Sequence, residues 1–334
     1  GAGDQDRPRC RRHDLRRPHI RVMSREPARP SPAVPEIFDR RAVRLHRARA
    51  AAGEGAGFLA AEVAGRLAER LDEVRRRFPL ALDLGCGDGA TARALAGRGG
   101  IERLIAADAA LAYARRAASP ALVAEAEALP FAPASFDLVV SSLALHWTND
   151  LPGALLQLRR LLRPDGLLLA SLWGGGTLDA LREALIEGEL AEEGGASPRV
   201  SPFADPRDLG GLLQRAGFAL PVVDTDEITV TYSDAFALMH DLRAMGEGNA
   251  VAERRRGFTR RATLARAAAH YQAQFAGPDG RIAARFALVT LTAWAPAPSQ
   301  PQPLRPGSAK HRLADALGGK DACAPPPISP SSSR

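Results

Sequence analysis

Apolar positions recur at three- and four-residue steps from Leu59 through Val63, Leu67 and Leu71 to Val74, with Arg and Glu between them. That spacing predicts an amphipathic helix from Gly57 to just before Pro79. A short apolar run, Leu80–Leu84, then reads as a strand and feeds directly into Gly85-Cys86-Gly87-Asp88-Gly89. The pattern goes on alternating. Helix is expected over Ala90–Gly97 and Leu111–Ala118, with a strand over Leu104–Ala107 ending at Asp108. A loop follows through Glu125–Phe131, then a strand at Phe136–Ser141, a helix at Leu151–Leu162 and a strand at Leu167–Trp173. Strands alternating with helices imply right-handed crossovers and a parallel sheet. The run Asp137-Leu138-Val139-Val140 lacks polar alternation, as expected of a strand covered on both faces. The fold class is therefore α/β, with a mostly parallel twisted sheet and helices on both faces.

After Gly176 the periodicity loosens. Helices are expected near 177–192, 206–216, 233–245 and 253–275, and strands at Val222–Thr231 and Arg285–Trp294. Most of 177–280 reads as a helical insertion ahead of the last strand. The organisation expected is an Arg/Pro-rich tail over 1–35, one folded domain over 36–295, and a Pro/Ser-rich tail over 296–334, both tails lacking the apolar periodicity that order requires.

Charge changes the picture in an unexpected direction. The 334 residues carry 45 Lys and Arg against 38 Asp and Glu, a net of +7. That excess suggests a nucleic-acid partner. Residues 1–22, however, hold seven Arg and three Asp, and residues 296–334 hold five basic groups and two Asp. The stretch 23–295 is left with 33 of each sign, so the foldable part is neutral and no nucleic acid is expected. Only two of the basic residues are Lys, which with abundant Ala, Gly and Pro reads as a GC-rich coding bias. Met23 suggests that residues 1–22 precede a true start. The rival reading is a mitochondrial transit peptide, against which the three Asp and the absence of an amphipathic stripe count. Cys10, Cys86 and Cys323 give no metal spacing and no disulfide framework, which fits a reducing compartment. No apolar run reaches the roughly 18 residues of a membrane span.

The glycine segment carries the first chemical signal. It follows a strand and precedes a helix, where glycines let the backbone turn sharply and approach a ligand. Gly85-x-Gly87-x-x-Ala90 also satisfies a dinucleotide pattern, but not a P-loop, which needs Gly-Lys-Ser/Thr. A plain tight turn is the simplest alternative. Three neighbours narrow the choice. Asp83 lies two residues before the first glycine, where it would repel a pyrophosphate and favour a cation. Asp108 ends the second strand, where an acid accepts from ribose hydroxyls. Glu125 and Glu127 place acceptors in the third loop, where an adenine amino group is read. The set suits a ligand that is cationic at sulfur and amine and has no phosphate, as S-adenosyl-L-methionine is.

These residues resemble a class I S-adenosylmethionine-dependent methyltransferase. Leu82-Asp83-Leu84-Gly85-Cys86-Gly87-Asp88-Gly89 matches the first motif and Asp108 the acidic second-strand position. Glu125-Ala126-Glu127-Ala128-Leu129-Pro130-Phe131, with Glu125 in place of the usual Asp, and Leu162-Arg163-Pro164-Asp165-Gly166 resemble two later blocks. The resemblance implies a Rossmann-like fold and cofactor contacts at Asp83, Gly85, Cys86, Gly87, Asp108, Ala109, Glu125, Ala126, Glu127 and Ser141. A narrower resemblance, to the mitochondrial complex I assembly factor 5 family and its bacterial relatives, rests on Ile37-Phe38-Asp39-Arg40, on Ser141-Ser142-Leu143-Ala144-Leu145-His146-Trp147, and on Leu238-Met239-His240-Asp241-Leu242-Arg243-Ala244-Met245-Gly246-Glu247. Gly248 departs from the Ser usual there. This resemblance implies S-adenosylmethionine binding, a role in complex I assembly, and arginine hydroxylation of a complex I subunit in the eukaryotic members. It also implies a bacterial cytoplasmic site, at the inner face of the membrane, or the mitochondrial matrix. The malonyl-acyl-carrier-protein methyltransferases are a related group.

Methyl transfer asks little of the protein beyond positioning. A proton-bearing nucleophile adds the need for a base, and an arginine is hard to deprotonate. His146, just past the fourth strand, is the histidine expected near the reacting groups, with simple packing on Trp147 as the alternative. Trp147 and Trp173 are candidate walls of the same crevice. No His-x-Asp/Glu pair announces an iron site, and no metal is expected. Glu253-Arg254-Arg255-Arg256 and Arg260-Arg261 read as a solvated helix start, or else as a patch for an anionic partner such as acyl carrier protein or a membrane surface. Four readings follow. The first is an enzyme modifying a protein substrate, a complex I subunit. The second is a methyltransferase of malonyl-acyl-carrier protein or another small carboxylate, the third a non-catalytic assembly chaperone, and the fourth an NAD-dependent oxidoreductase, which nothing past Asp108 supports.

Overall fold

The structure, a computed structural model, describes residues 35–53 and 57–301. The chain divides into Gly1–Ala297 and Pro298–Arg334, and the description below concerns the first unit. Nearly all of both expected tails lies outside the described residues.

Two helices, α1 (Arg40–Ala52) and α2 (Phe58–Asp72), precede the first strand. Then come β1 (Leu80–Leu84), α3 (Ala90–Ala94), β2 (Arg103–Asp108), α4 (Leu111–Arg116), β3 (Ala121–Val123) and β4 (Phe136–Ser142). A single 3-10 turn at Leu145–Trp147 leads to α5 (Leu151–Leu161) and β5 (Leu162–Trp173). The remainder is α6 (Asp179–Glu193), α7 (Pro206–Arg215), β6 (Ala219–Tyr232), α8 (Ala235–Met245), α9 (Arg261–Phe275) and β7 (Ile282–Trp294).

The seven strands lie in the order β3-β2-β1-β4-β5-β7-β6. β1 to β5 pair in parallel, and β7 runs antiparallel to both β5 and β6. Side chains alternate across a strand, and here both faces are dry. Ala81, Leu138, Val140, Leu167 and Leu169 join a core with α2, α6, α8 and α9. Leu82, Val139, Leu168 and Ala170 join the opposite core with α5 and α7. That explains the unbroken apolar runs of β1 and β4. Helix α2 buries Leu59, Val63, Leu67 and Leu71 almost completely, as their spacing predicts. Asp side chains cap four helix starts, with Asp39, Asp150, Asp205 and Asp234 accepting from first-turn backbone N–H groups.

Three expectations change. The helix α1 was not expected, because its buried side are mostly alanines rather than a stripe of large apolar residues. The insertion is in two pieces, because α7 and β6 between them belong to the sheet. Leu209 and Leu213 of α7 pack on the α5 face, and β6 pairs with β7 along its length. The helix expected over 253–275 starts only at Arg261. Three of the arginines before it have carboxylate partners within the chain: Arg254 and Arg256 reach Asp39, and Arg255 reaches Glu193.

Residues 197–203 are fastened to α6 by Glu189, whose side chain is 2% exposed. It accepts from Ser197 N at 2.7 Å and from Arg199 Nε at 2.8 Å, with Arg199 Nη2 also bonded. Burial alone would raise its carboxyl pKa, but the bonds from Arg199 and Ser197 hold it below the ordinary value. Removing one partner of such a pair leaves an uncompensated charge. Glu189→Ala is expected to lower unfolding stability by roughly 3 kcal/mol in denaturant titration at neutral pH. A loss within experimental error would show the pair to be dispensable.

Candidate functional site

The strand β1 ends at Leu84, and the chain turns through Gly85, Gly87 and Gly89 with φ of 79°, 50° and 82°. Gly85 is demanded twice: by its left-handed conformation, and because a Cβ there would sit 2.2 Å from the Ala144 Cβ. Gly85 and Cys86 N–H groups donate to the Ala107 carbonyl at 2.7 and 3.1 Å, tying the turn to the end of β2. Cys86 is a packed thiol. Burial pushes its pKa up to about 12, and the Asp108 and Asp83 charges add to the rise.

Asp83 is fully buried, and neither carboxylate oxygen has a hydrogen-bond partner. Burial pushes its carboxyl up to about 7; the neighbouring Asp108 charge adds to the rise and Arg47 opposes it. A buried carboxylate without a donor is costly, and its environment is one that a cationic ligand would relieve.

Asp108 has the opposite character. It is also fully buried, but both oxygens are engaged. Arg47 Nε and Ala110 N donate to Oδ1 at 3.2 and 2.8 Å, and Arg47 Nη2 and Gly87 N donate to Oδ2 at 2.5 and 3.1 Å. Burial works against the Arg47 charge, and the Asp108 carboxylate more than offsets it. The Tyr113 ring lies 5.2 Å from the same guanidinium. One and two turns earlier on α1, Arg44 and Arg40 bond Glu125. Burial raises the Glu125 pKa, and these two arginines bring it down below its ordinary value. So α1 sets three arginines, at positions 40, 44 and 47, on one helical face against two of the expected cofactor carboxylates.

Three cavities meet here. One of about 320 Å³ is walled by Gly85, Cys86 and Gly87, together with Arg47, Trp173 and Glu247. A small one of about 30 Å³ touches Gly85, Asp108, Ala109 and Ala126, with Arg47 again in the wall. A third, of about 330 Å³, is largely aromatic and apolar, with Trp147, Trp173, Phe203, Phe286 and Glu247 among its walls. The first and third share Trp173 and Glu247. The structure thus gathers six of the expected residues, Gly85, Cys86, Gly87, Asp108, Ala109 and Ala126, around two adjoining cavities.

The other expected residues stand back from these walls. Ser141 is buried and donates to the Leu84 carbonyl at 2.9 Å, pinning β4 to β1. Glu127 accepts from the backbone N–H groups of Asn149 and Asp150, joining the third loop to the start of α5. His146 lines none of the three cavities. Its ring lies among Trp147, Trp173 and Phe203, and Nε2 is 3.2 Å from Glu247 Oε2. Sequence reasoning missed Arg47 and Glu247. The Asp39 cap followed by Arg at 40, 44 and 47 is a readable signal for the first. The second follows Gly246, a helix-stop glycine, but its meeting with His146 joins points 101 residues apart. Among the described residues no three His, Cys, Asp or Glu side chains form a group able to hold a metal.

A methyltransferase-domain family model matches residues 82–170. The chain is 42% identical over 287 residues to the human arginine-hydroxylase NDUFAF5, mitochondrial, covering 84% of this chain and 83% of the relative. The mouse protein of the same name is 43% identical over similar coverage, 84% and 83%. A malonyl-acyl-carrier-protein O-methyltransferase of Halorhodospira halophila is 38% identical, over 79% of this chain and 90% of that one. Among solved structures, the YcgJ protein of Bacillus subtilis superposes with a TM-score of 0.50 at 16% identity, covering 71% of this chain and 99% of its own. By sequence, motif and strand order, the chain belongs to the class I methyltransferase family and, within it, to the group that contains NDUFAF5.

Proposed function

We propose that this chain binds S-adenosyl-L-methionine at the glycine turn and modifies a side chain of a protein substrate, a subunit of respiratory complex I, during assembly of that complex. The observation that carries the reading is the pair of large cavities sharing Trp173 and Glu247. One is bounded by the turn that would hold the cofactor, and the other is an apolar chamber for an acceptor group. Identity with NDUFAF5 over more than four-fifths of each chain supports a protein acceptor, and the name of those relatives supports arginine. Among the described residues no helix is long and apolar enough to cross a membrane. The setting proposed is the bacterial cytoplasm or the mitochondrial matrix.

The residues fit the cofactor on their own chemistry. Asp83, buried without a donor, lies behind the glycine turn and in none of the three cavity walls, and a cationic ammonium or sulfonium group beside the turn would lower the cost of its charge. The glycine turn admits a close backbone approach, and Asp108 would receive a ribose diol only in exchange for a donor it now holds. S-adenosylmethionine supplies, when bound, a methyl carbon made electrophilic by a positive sulfur. The chain's part is to position and to exclude water, contributions that can together reach roughly 7–11 kcal/mol. Trp147 and Trp173 close the apolar chamber, and Glu247 is the carboxylate available there to take a proton from an acceptor that carries one.

A second reading, methylation of a carboxylate as in the malonyl-acyl-carrier-protein enzymes, is favoured by Arg49 and Arg243. Both line the aromatic chamber, and neither has a carboxylate partner among the described residues. Mass spectrometry of complex I subunits from a strain lacking the gene separates the readings. The expected result is that one arginine lacks the mass of an added methylene, the change S-adenosylmethionine itself can supply; a missing oxygen instead would point to the hydroxylation in the relatives' name, which needs dioxygen or another oxidant besides this cofactor. Unchanged subunit masses would sink the protein-substrate reading. Asp108→Ala is expected to lose both cofactor binding and complex I assembly in the same strain. Assembly retained without cofactor binding would favour a non-catalytic chaperone.

A further inference from the structure

We infer that Glu247 receives the guanidinium of the acceptor, and that His146 is the positioning residue that holds it. The inference rests on the reading of the acceptor as an arginine side chain. It reverses the order expected from sequence, in which His146 itself faced the reacting groups.

The placement of Glu247 is the first argument. It is the one carboxylate in the wall of the aromatic chamber, and it also borders the cavity at the glycine turn. Trp147, Trp173, Phe203 and Phe286 line the same chamber. A planar cation is recognised by aromatic faces together with a carboxylate that takes two parallel N–H bonds. A neutral apolar group would leave Glu247 desolvated, and an anion would be repelled by it.

The way Glu247 is held is the second argument. Helix α8 stops at Met245, Gly246 takes a left-handed conformation with φ 83°, and Glu247 N donates back to the Leu242 carbonyl at 2.8 Å. A Cβ on Gly246 would lie 3.3 Å from Ala50 Cβ on α1, so the turn is seated against a second helix. An ionised carboxylate can only accept, so His146 Nε2 is the donor to Oε2. The His146 side chain is 1% exposed and that of Glu247 13%. Oε1 accepts from no protein donor among the described residues, and it remains available to a ligand.

Arg199 in this wall is already paired with Glu189, but Arg49 and Arg243 also share the chamber and would repel a guanidinium. Both are exposed and sit in the last turns of α1 and α8, where a cation is stabilised by the helix dipole. The helix ends account for them without a ligand, so they favour a carboxylate acceptor only if the glutamate probe below binds more tightly than the arginine probe.

The test uses the full chain saturated with S-adenosylhomocysteine, with N-acetyl-arginine amide and its neutral isostere N-acetyl-citrulline amide as probes, measured by calorimetry. The wild type is expected to bind the arginine probe at least about tenfold more tightly, the usual worth of a charge-assisted pair. Glu247→Gln, which keeps the shape, is expected to bring the two probes to parity while S-adenosylhomocysteine affinity stays within about threefold. His146→Ala should weaken the arginine probe, and His146→Gln, which keeps a donor, should restore most of the loss. Equal affinity of the wild type for both probes overturns the inference. So does an unchanged preference in Glu247→Gln, or loss of S-adenosylhomocysteine binding in that variant, which would assign Glu247 to the cofactor instead. Tighter binding of N-acetyl-glutamate than of N-acetyl-arginine amide also overturns it. If the probe preference holds but complex I subunits show no change in mass, the function proposed above fails and the role of Glu247 stands. If the subunit is modified equally by wild type and Glu247→Gln, the reverse applies.

Discussion

Gly85→Val is expected to remove S-adenosylmethionine binding and to destabilise the fold. Two separate costs act at one position. The backbone of Gly85 has φ of 79°, a left-handed conformation that costs a residue with a Cβ roughly 1–2 kcal/mol, and more for a branched one. The new Cβ would also lie 2.2 Å from Ala144 Cβ, in a region where overpacking typically costs about 1–3 kcal/mol. The strand ends on both sides are buried and hydrogen-bonded, so relief has to come from the turn itself. Moving the turn breaks the bonds from Gly85 and Cys86 to the Ala107 carbonyl and displaces the wall of the cavity. Denaturant titration should show a loss of roughly 2–5 kcal/mol, and calorimetry should show no S-adenosylhomocysteine binding. A valine variant that binds with wild-type affinity would refute the placement of the cofactor against this turn.

Asp83→Asn is expected to make cofactor binding weak and independent of pH. In the folded protein the Asp83 carboxyl is pushed up to about 7 by burial, helped by the Asp108 charge and opposed by Arg47. In the unfolded chain it titrates near the ordinary value of 3.8. The folded state therefore holds a proton, between about pH 4 and pH 7, that the unfolded state has lost. Stability contributed by this site falls as pH rises through that window, and the cost is complete above about pH 7. A cationic ligand reverses the preference, because it favours the ionised form. Affinity for S-adenosylmethionine should rise with pH up to about 7, below the range in which the ligand's own amino group loses its proton, and binding at about pH 6 should release close to one proton. Calorimetry in two buffers of different ionisation enthalpy measures that proton directly. Asn should release none, should flatten the pH profile, and should lower affinity at about pH 8 by tenfold or more. Wild-type binding without proton release would show that Asp83 does not meet the positive part of the ligand.

Much of this site could be read in the sequence, and the reasons are local. Asp83, Gly85 and Asp108 lie at strand ends that an apolar run announces, and the conformation of a glycine turn depends on its own residues. The strands β1, β2 and β4 are legible because burial on both faces leaves no polar position in them. The helix α1 is not legible in the same way. Its buried side is Ala42, Val43, Ala50 and Ala51, with Arg47 among them, and it is fixed by ion pairs to Asp108 and Glu125 rather than by a stripe of large apolar side chains. Periodicity has no means of registering such contacts. The strand β3 is only three residues long, too short for a pattern. Helix α7 and strand β6 fall within the insertion expected from sequence because β6, at the edge of the sheet, alternates exposed and half-buried positions and lacks the unbroken apolar run of its neighbours. The pairing of His146 with Glu247 depends on where α8 ends in space, which no short-range rule supplies.

Asp108 holds four donors in this structure. A carboxylate offers about four acceptor positions, and Arg47, Gly87 and Ala110 fill them. A sugar diol can be received only by exchange, with the guanidinium as leaving partner. Occupancy of the site and the docking of α1 are then competing equilibria, and linkage makes the competition reciprocal. Whatever anchors α1 more firmly raises the concentration of ligand needed for half-saturation. A ligand that displaced Arg47 from Asp108 would be expected to increase hydrogen exchange along residues 40–52.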